Sequence, residues 1–234
     1  MEKTYSHDDA IKRYKKIKKK EWTNRLPKIE PSGFIIVRLD GKGLTKKFLR
    51  KKLVADEHFL AMKQVLAQIV KYCPYIEFAY SSNDEISFII NNSQLNSNVI
   101  KCKTEKLLSY LSGFVSSLYT IYINTTGKQQ AYSFDARLIP VSKDLLKEYF
   151  CCRQQIAIGY FIEKLCTHNK LEKKAYTLHQ IDSALHSVGD NWANYPEYIP
   201  YGFIGHYDEK RVWQVEVAKD FEMHWSAYAH GSLK

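Results

Sequence analysis

The chain has 234 residues, 45% hydrophobic and 26% charged, a composition that excludes a disordered or collagen-like chain and suffices for a real core. Lys plus Arg number 35 against 25 Asp plus Glu, a formal net charge of +10, which favours a polyanionic partner: nucleic acid, nucleotide phosphates or an acidic membrane surface. No stretch approaches the ~18 apolar residues of a spanning helix, and the opening MEKTYSHDDA lacks an apolar run for secretion.

Five cysteines (Cys73, Cys102, Cys151, Cys152, Cys166) without C-x-x-C spacing read as reduced thiols, not as a disulfide frame or a zinc site. Together these features predict a cytoplasmic chain with no membrane partner.

Residues 6–20, SHDDAIKRYKKIKKK, predict a helix capped by Ser6, with Asp8 and Asp9 in its first turn and lysines crowding its end. Ala10, Ile11, Tyr14 and Ile17 form a thin apolar stripe. The rest is a solvated face or, on the sharper reading, a phosphate-tracking surface that includes Lys15, Lys16 and Lys19. LPKIEPSG is a linker. FIIVRLD (34–40) alternates as a strand, with Ile35, Val37 and Leu39 on one face and Phe34, Ile36, Arg38 and Asp40 on the other. GKGLTKKFLRKK is a glycine-started basic loop.

From Asp56, helical spacing of Phe59, Met62, Val65, Leu66, Ile69 and Val70 predicts a helix that Pro74 stops. EFAYSS (77–82) and ISFII (86–90) form a hairpin around Asn83-Asp84-Glu85. NNSQLNSN is a loop, residues 104–123 a largely apolar helix, and QAYSFDARLIP a fourth strand. The order βαββαβ predicts an α+β fold, a ferredoxin-like palm. Ser142 opens a further helix, in which Arg153-Gln154-Gln155 lies on a solvated helical face. Residues 171–188 carry a weaker helical pattern, and the tail reads as aromatic loops with a short strand or hairpin. The expected organisation is a basic helix and linker (1–30), a palm core (31–141) and a C-terminal extension packed on it (142–234).

The strongest constellation is Asp40 at the end of the first strand with Asp84 and Glu85 in the hairpin. First and third strands are central neighbours in this order, so Asp40 and Asp84 are expected to meet on the sheet face that helices leave bare. Two such carboxylates repel unless a cation joins them. Hard oxygen ligands near phosphates suit Mg²⁺, and two ions can clamp the attacking and leaving oxygens of phosphoryl transfer. Gly41 allows its carbonyl a close approach to metal or phosphate, and Lys42, Lys46 and Lys47 suit a triphosphate. P-loop, dinucleotide, G-x-S-x-G and H-E-x-x-H patterns are all absent. His224 and His230 read as surface residues, and His206 as structural.

Three stretches, VRLDGKGLTKKF (37–48), FAYSSNDEISFII (78–90) and SFDARLIPVSKDLLKEYFCCRQQ (133–155), resemble the tRNA-His guanylyltransferase family, especially its guanylyltransferase-like branch. The resemblance covers most of residues 1 to about 205. It implies a polymerase-type palm that adds nucleotides 3′ to 5′ at RNA 5′ ends. A 5′-monophosphate is activated by ATP or GTP, and the 3′-hydroxyl of an incoming NTP then attacks it. It also implies Asp40, Asp84 and the Gly41 carbonyl as ligands for two Mg²⁺ ions, with Glu85 beside them. Arg38, Lys42 and Gly43 match positions around the nucleotide, Asn83 stands for the family's usual Ser as a nucleotide contact whose amide can still bond a phosphate, Arg153 and Gln154 match the family's Arg-Gln pair as RNA contacts, and a homotetramer is expected.

The chain departs from the family at Asn83, at Cys152, at Ile158-Gly159-Tyr160-Phe161 and at Pro200-Tyr201-Gly202. Two alternatives stay open: a palm that cyclises or oligomerises nucleotides, and a divergent nucleotide- or RNA-binding member.

Overall fold

The alternation in FIIVRLD builds β1 (Phe34–Gly41) at the heart of a mixed helix-and-sheet fold. The computed structural model describes residues 7–18, 34–50, 52–91, 104–124 and 129–232. The linker LPKIEPSG, the cap Ser6, Lys19, Cys102 and most of the NNSQLNSN loop lie outside them. α1 (His7–Lys18) precedes β1, and a π-helical turn (Thr45–Leu49) follows it. Then come α2 (Asp56–Tyr72), β2 (Ile76–Ser82), β3 (Glu85–Asn91), α3 (Thr104–Ile123), β4 (Phe134–Val141), α4 (Lys143–His168), α5 (Leu178–Ser187), α6 (Tyr198–Tyr201), β5 (Phe203–Tyr207), β6 (Trp213–Val217) and α7 (Phe221–Ser232). The sheet has six antiparallel strands in the order β4-β1-β3-β2-β5-β6.

Ile35, Val37 and Leu39 meet α2 and α3 through Met62, Val65, Leu66, Leu111 and Val115 in one core layer. The other face corrects the expectation of a bare sheet. Ile36, Ile89 and Phe78 are fully buried there beneath α1, the first half of α4, and α7, through Tyr14, Tyr149, Phe150, Trp225 and Tyr228. Six strands with large apolar residues on both faces need cover on both. Partial exposure remains at Phe34 and Asp40 near the ends of β1, along much of β4 and β6, and at the β2–β3 turn.

α4, about 40 Å long by its residue count, serves both layers. Leu146, Tyr149 and Phe150 pack on the second face, whereas Ile158, Phe161, Ile162 and Leu165 join the first. Arg153 sits where the helix passes between them, 7% exposed, not on a solvated face.

The aromatic tail is more ordered than loops. β5 and β6 extend the sheet beyond β2, and residues 221–232 form α7. Phe221, Trp225 and Tyr228 recur at helical spacing and close over Phe78, with ring centroids 5.2–6.3 Å apart. Gly202 (φ 76°) links α6 to β5. A Cβ there would lie 2.2 Å from the Ser81 carbonyl oxygen, so only glycine fits this approach to β2.

Candidate active site

Strand register aligns the charged residues of the second face in rows. Asp40 pairs with Glu85 on one side and with Asp135 on the other. One step along, Arg38 lies between Ser87 and Arg137. An acidic row therefore borders a basic one at the open end of the sheet. Arg137 binds Asp135 at 3.0 Å, and the buried Arg38 donates to the Tyr14 hydroxyl of α1. From above, Arg153 pairs with Glu85 and stacks over Tyr14 with its guanidinium carbon 5.0 Å from the ring centroid.

Asp84 reaches this row from the β2–β3 turn, which is held in three ways. Asn83 takes φ 51°, a conformation asparagine tolerates better than most residues. The Asp84 carbonyl accepts from the Gly41 amide at 2.9 Å, and Asp84 Oδ2 accepts from the Thr45 amide at 3.1 Å and from the Thr45 hydroxyl. A Cβ on Gly41 would overlap the Leu44 side chain at 2.2 Å, so glycine lets the basic loop fold back beneath the turn.

Behind the turn, the buried His58 lies 2.6 Å from the Asn83 carbonyl and 2.7 Å from the Tyr119 hydroxyl. A carbonyl only accepts, so Nε2 carries the proton and Nδ1 receives the tyrosine O–H. Burial pushes the pKa of His58 down to about 4, which keeps it neutral at pH 7.

These groups line a cleft of about 390 Å³. Asp40, Asp84, Glu85, Arg38, Arg137 and Arg153 face it, and Lys15 and Tyr160 belong to its wall. Burial, then the neighbouring carboxylates Asp84 and Asp135, raise the pKa of Asp40 above the usual carboxylate value. The nearby arginines only partly offset this rise, so the partly buried, mutually repelling Asp40 and Asp84 form a hard-oxygen donor pair that a Mg²⁺-type cation fits. The guanidinium groups nearby suit phosphate oxygens.

Other sequence-derived candidates fall elsewhere. Lys42, Gly43 and Lys46 are exposed on the loop and do not line the cleft. Lys47 turns to Gln130 and Tyr132, 4.4 Å from the tyrosine ring centroid. Gln154 donates to the Ala218 carbonyl. The Lys16 side chain and Lys19 lie outside the described residues.

Sequence reasoning did not assign Tyr14, Thr45, His58, Asp135, Arg137 or Tyr160 to the site. Asp135 and Arg137 carried a usable signal. They repeat in β4 the charged pair, two residues apart on one strand face, that marked Arg38 and Asp40.

The fold and the cleft together define a class, the palm-type nucleotidyltransferases. A family model described as tRNAHis guanylyltransferase (Thg1) matches residues 14–142, and the chain belongs to that family, whose members transfer nucleotides 3′ to 5′. Solved structures agree on the fold. A bacterial tRNA(His) guanylyltransferase (Thg1)-like protein in complex with ATP superposes with a TM-score of 0.68 at 18% identity, over 95% of this chain and 98% of that one. The bacterial Thg1-like protein in complex with GTP gives 0.64 at 18%, over 95% and 99%. The tRNA(His) guanylyltransferase from Saccharomyces cerevisiae gives 0.64 at 19%, over 86% and 96%. A comparison with curated proteins finds no match. Among the described residues no helix is long and apolar enough to cross a membrane.

Proposed function

We propose that this chain adds nucleotides 3′ to 5′ to tRNA or related RNA 5′ ends at the Asp40–Asp84 cleft, with 5′-end repair favoured over strict tRNA-His maturation. The observation that carries the reading is the convergence of Asp40, Asp84 and Glu85 with Arg38, Arg137 and Arg153 in one cleft, with Asp135 paired beside Asp40 on the neighbouring strand. Asp40, Asp84 and the Gly41 carbonyl would hold two Mg²⁺ ions. Bound there, the ions supply charge neutralisation and polarisation for phosphoryl transfer.

The chain's own residues do the positioning. Thr45 holds the Asp84 carboxylate and His58 the Asn83 carbonyl, which would keep the turn preorganised for joint metal binding by Asp84 and Asp40. Arg153 holds Glu85 against the row. Arg38 and Arg137 offer donors to a phosphate chain, with ATP and GTP as the nucleotides by analogy to the bacterial relatives' complexes. Lys15, exposed on the cleft wall, would contact an RNA backbone, together with Lys16 and Lys19 further along the basic run. Catalysis of this kind rests on orientation and electrostatics more than on covalent chemistry.

The test is incorporation of labelled NTP into tRNAs with intact and shortened 5′ ends, with and without Mg²⁺. Mg²⁺-dependent incorporation that favours shortened ends supports the proposal. RNA-independent conversion of NTP into cyclic or short oligonucleotide products contradicts it.

A further inference from the structure

Beyond the cleft, the described residues hold one cluster with metal-ligand chemistry: His206, Glu216 and His224. In the β5–β6 pair His206 lies opposite Gln214, and Ile204 opposite Glu216, so His206 and Glu216 share a sheet face as diagonal neighbours. α7 starts just after β6 and lays His224 over them, with the two imidazole centroids 5.3 Å apart. One donor atom from each of the three residues lies within 4.8 Å of the others. Glu216 Oε2 is 3.1 Å from His224 Nδ1 and 3.7 Å from His206 Nε2. Two donors on one tetrahedral ion at about 2.0–2.1 Å stand about 3.3 Å apart, and the two observed separations bracket that value.

A second observation points the same way. His206 is 7% exposed, and its Nε2 has no hydrogen-bond partner among the described residues; the Glu216 oxygen is beyond hydrogen-bond reach. Its other nitrogen, Nδ1, faces the Tyr207 carbonyl at 3.3 Å. A carbonyl there selects the tautomer that leaves Nε2 with a free lone pair, the arrangement usual behind a metal-bound histidine. A buried nitrogen left bare needs an explanation, and an ion shared with Glu216 and His224 supplies one.

We propose that His206, Glu216 and His224 bind a Zn²⁺ ion with three protein ligands, leaving the fourth position to water beside the exposed Glu216. Two imidazoles and one carboxylate favour zinc over Mg²⁺. None of the three residues lines the Asp40–Asp84 cleft. The ion fastens α7, whose Phe221, Trp225 and Tyr228 cover Phe78, to the outer two strands.

The experiment uses untagged full-length protein stripped with chelator, then dialysed against Zn²⁺ in excess Mg²⁺, with bound metal measured by mass spectrometry. One zinc per chain is expected. His206→Ala and His224→Ala should hold none, and Asp40→Asn should keep it. Glu216→Gln, an isosteric change at an exposed side chain, guards against misfolding of the histidine variants; its zinc affinity should fall at least about tenfold. Absence of zinc in the wild type overturns the proposal. So does retention of the ion by both histidine variants, or wild-type affinity in Glu216→Gln.

Discussion

Arg153, midway along α4, and Glu85, the first residue of β3, form an ion pair with side chains only 9% and 17% exposed. The pair ties the helix that serves both core layers to the acidic row of the cleft. Removing one partner strands the other charge in a poorly solvated place. Arg153→Ala should therefore lower unfolding free energy by about 3–5 kcal/mol, read from urea denaturation. The double variant Arg153→Met/Glu85→Gln should recover most of that stability and still incorporate no nucleotide, which separates the structural role of the pair from its role in the cleft.

His58 gives the fold a pH dependence. Its pKa falls from 6.5 in the ordinary state to about 4 in the folded protein, so the unfolded chain takes up a proton first as pH drops. The stability it contributes is complete above about pH 6.5 and is lost between there and about pH 4. The loss reaches roughly 3 kcal/mol over that window by proton linkage. His58→Gln should flatten the slope across pH 4–6.5 in denaturation curves, and it should lower incorporation by loosening the turn that carries Asp84.

Asp40 has the opposite sign. Its folded pKa is raised by burial and by Asp84 and Asp135, so its contribution is favourable only at low pH. That contribution is lost as pH rises through the folded value, leaving the metal-free protein destabilised at neutral pH. Asp40→Asn should raise the melting temperature of chelated protein. Mg²⁺ should raise that of the wild type and do little for the variant, the two effects crossing in one thermal-shift series.

RNA affinity should fall steeply with added salt if backbone phosphates are neutralised on release of counterions. Lys15→Ala should make the log–log slope shallower by about one in a binding titration from low to physiological salt. An unchanged slope would remove Lys15 from the RNA path.

Much of this arrangement is legible in the sequence because it depends on short-range pattern. The alternation in FIIVRLD puts Arg38 and Asp40 on one face, and the polar break at Asn83-Asp84-Glu85 marks the turn. What escaped depends on tertiary context. A strand whose polar-bearing face is also apolar further along, as with Ile36 beside Arg38, does not disclose which helices will cover it. α7 has helical spacing, but three of its covering residues are aromatic, which single-helix propensity ranks low; packing on Phe78 decides the outcome. His58 follows Asp56 and Glu57 in the polar first turn of α2, and nothing local shows that its ring will be buried and meet Asn83. Arg153 reads as a solvated polar position until α4 is seen to pass between two layers.

The most direct measurement is anomalous diffraction from crystals soaked with Mn²⁺ and a non-hydrolysable NTP. Density is expected between Asp40 and Asp84, about 2.1–2.2 Å from an oxygen of each, with nucleotide phosphates reaching Arg38 or Arg137. Nucleotide bound elsewhere, or metal that touches neither carboxylate, would contradict the assignment of this cleft.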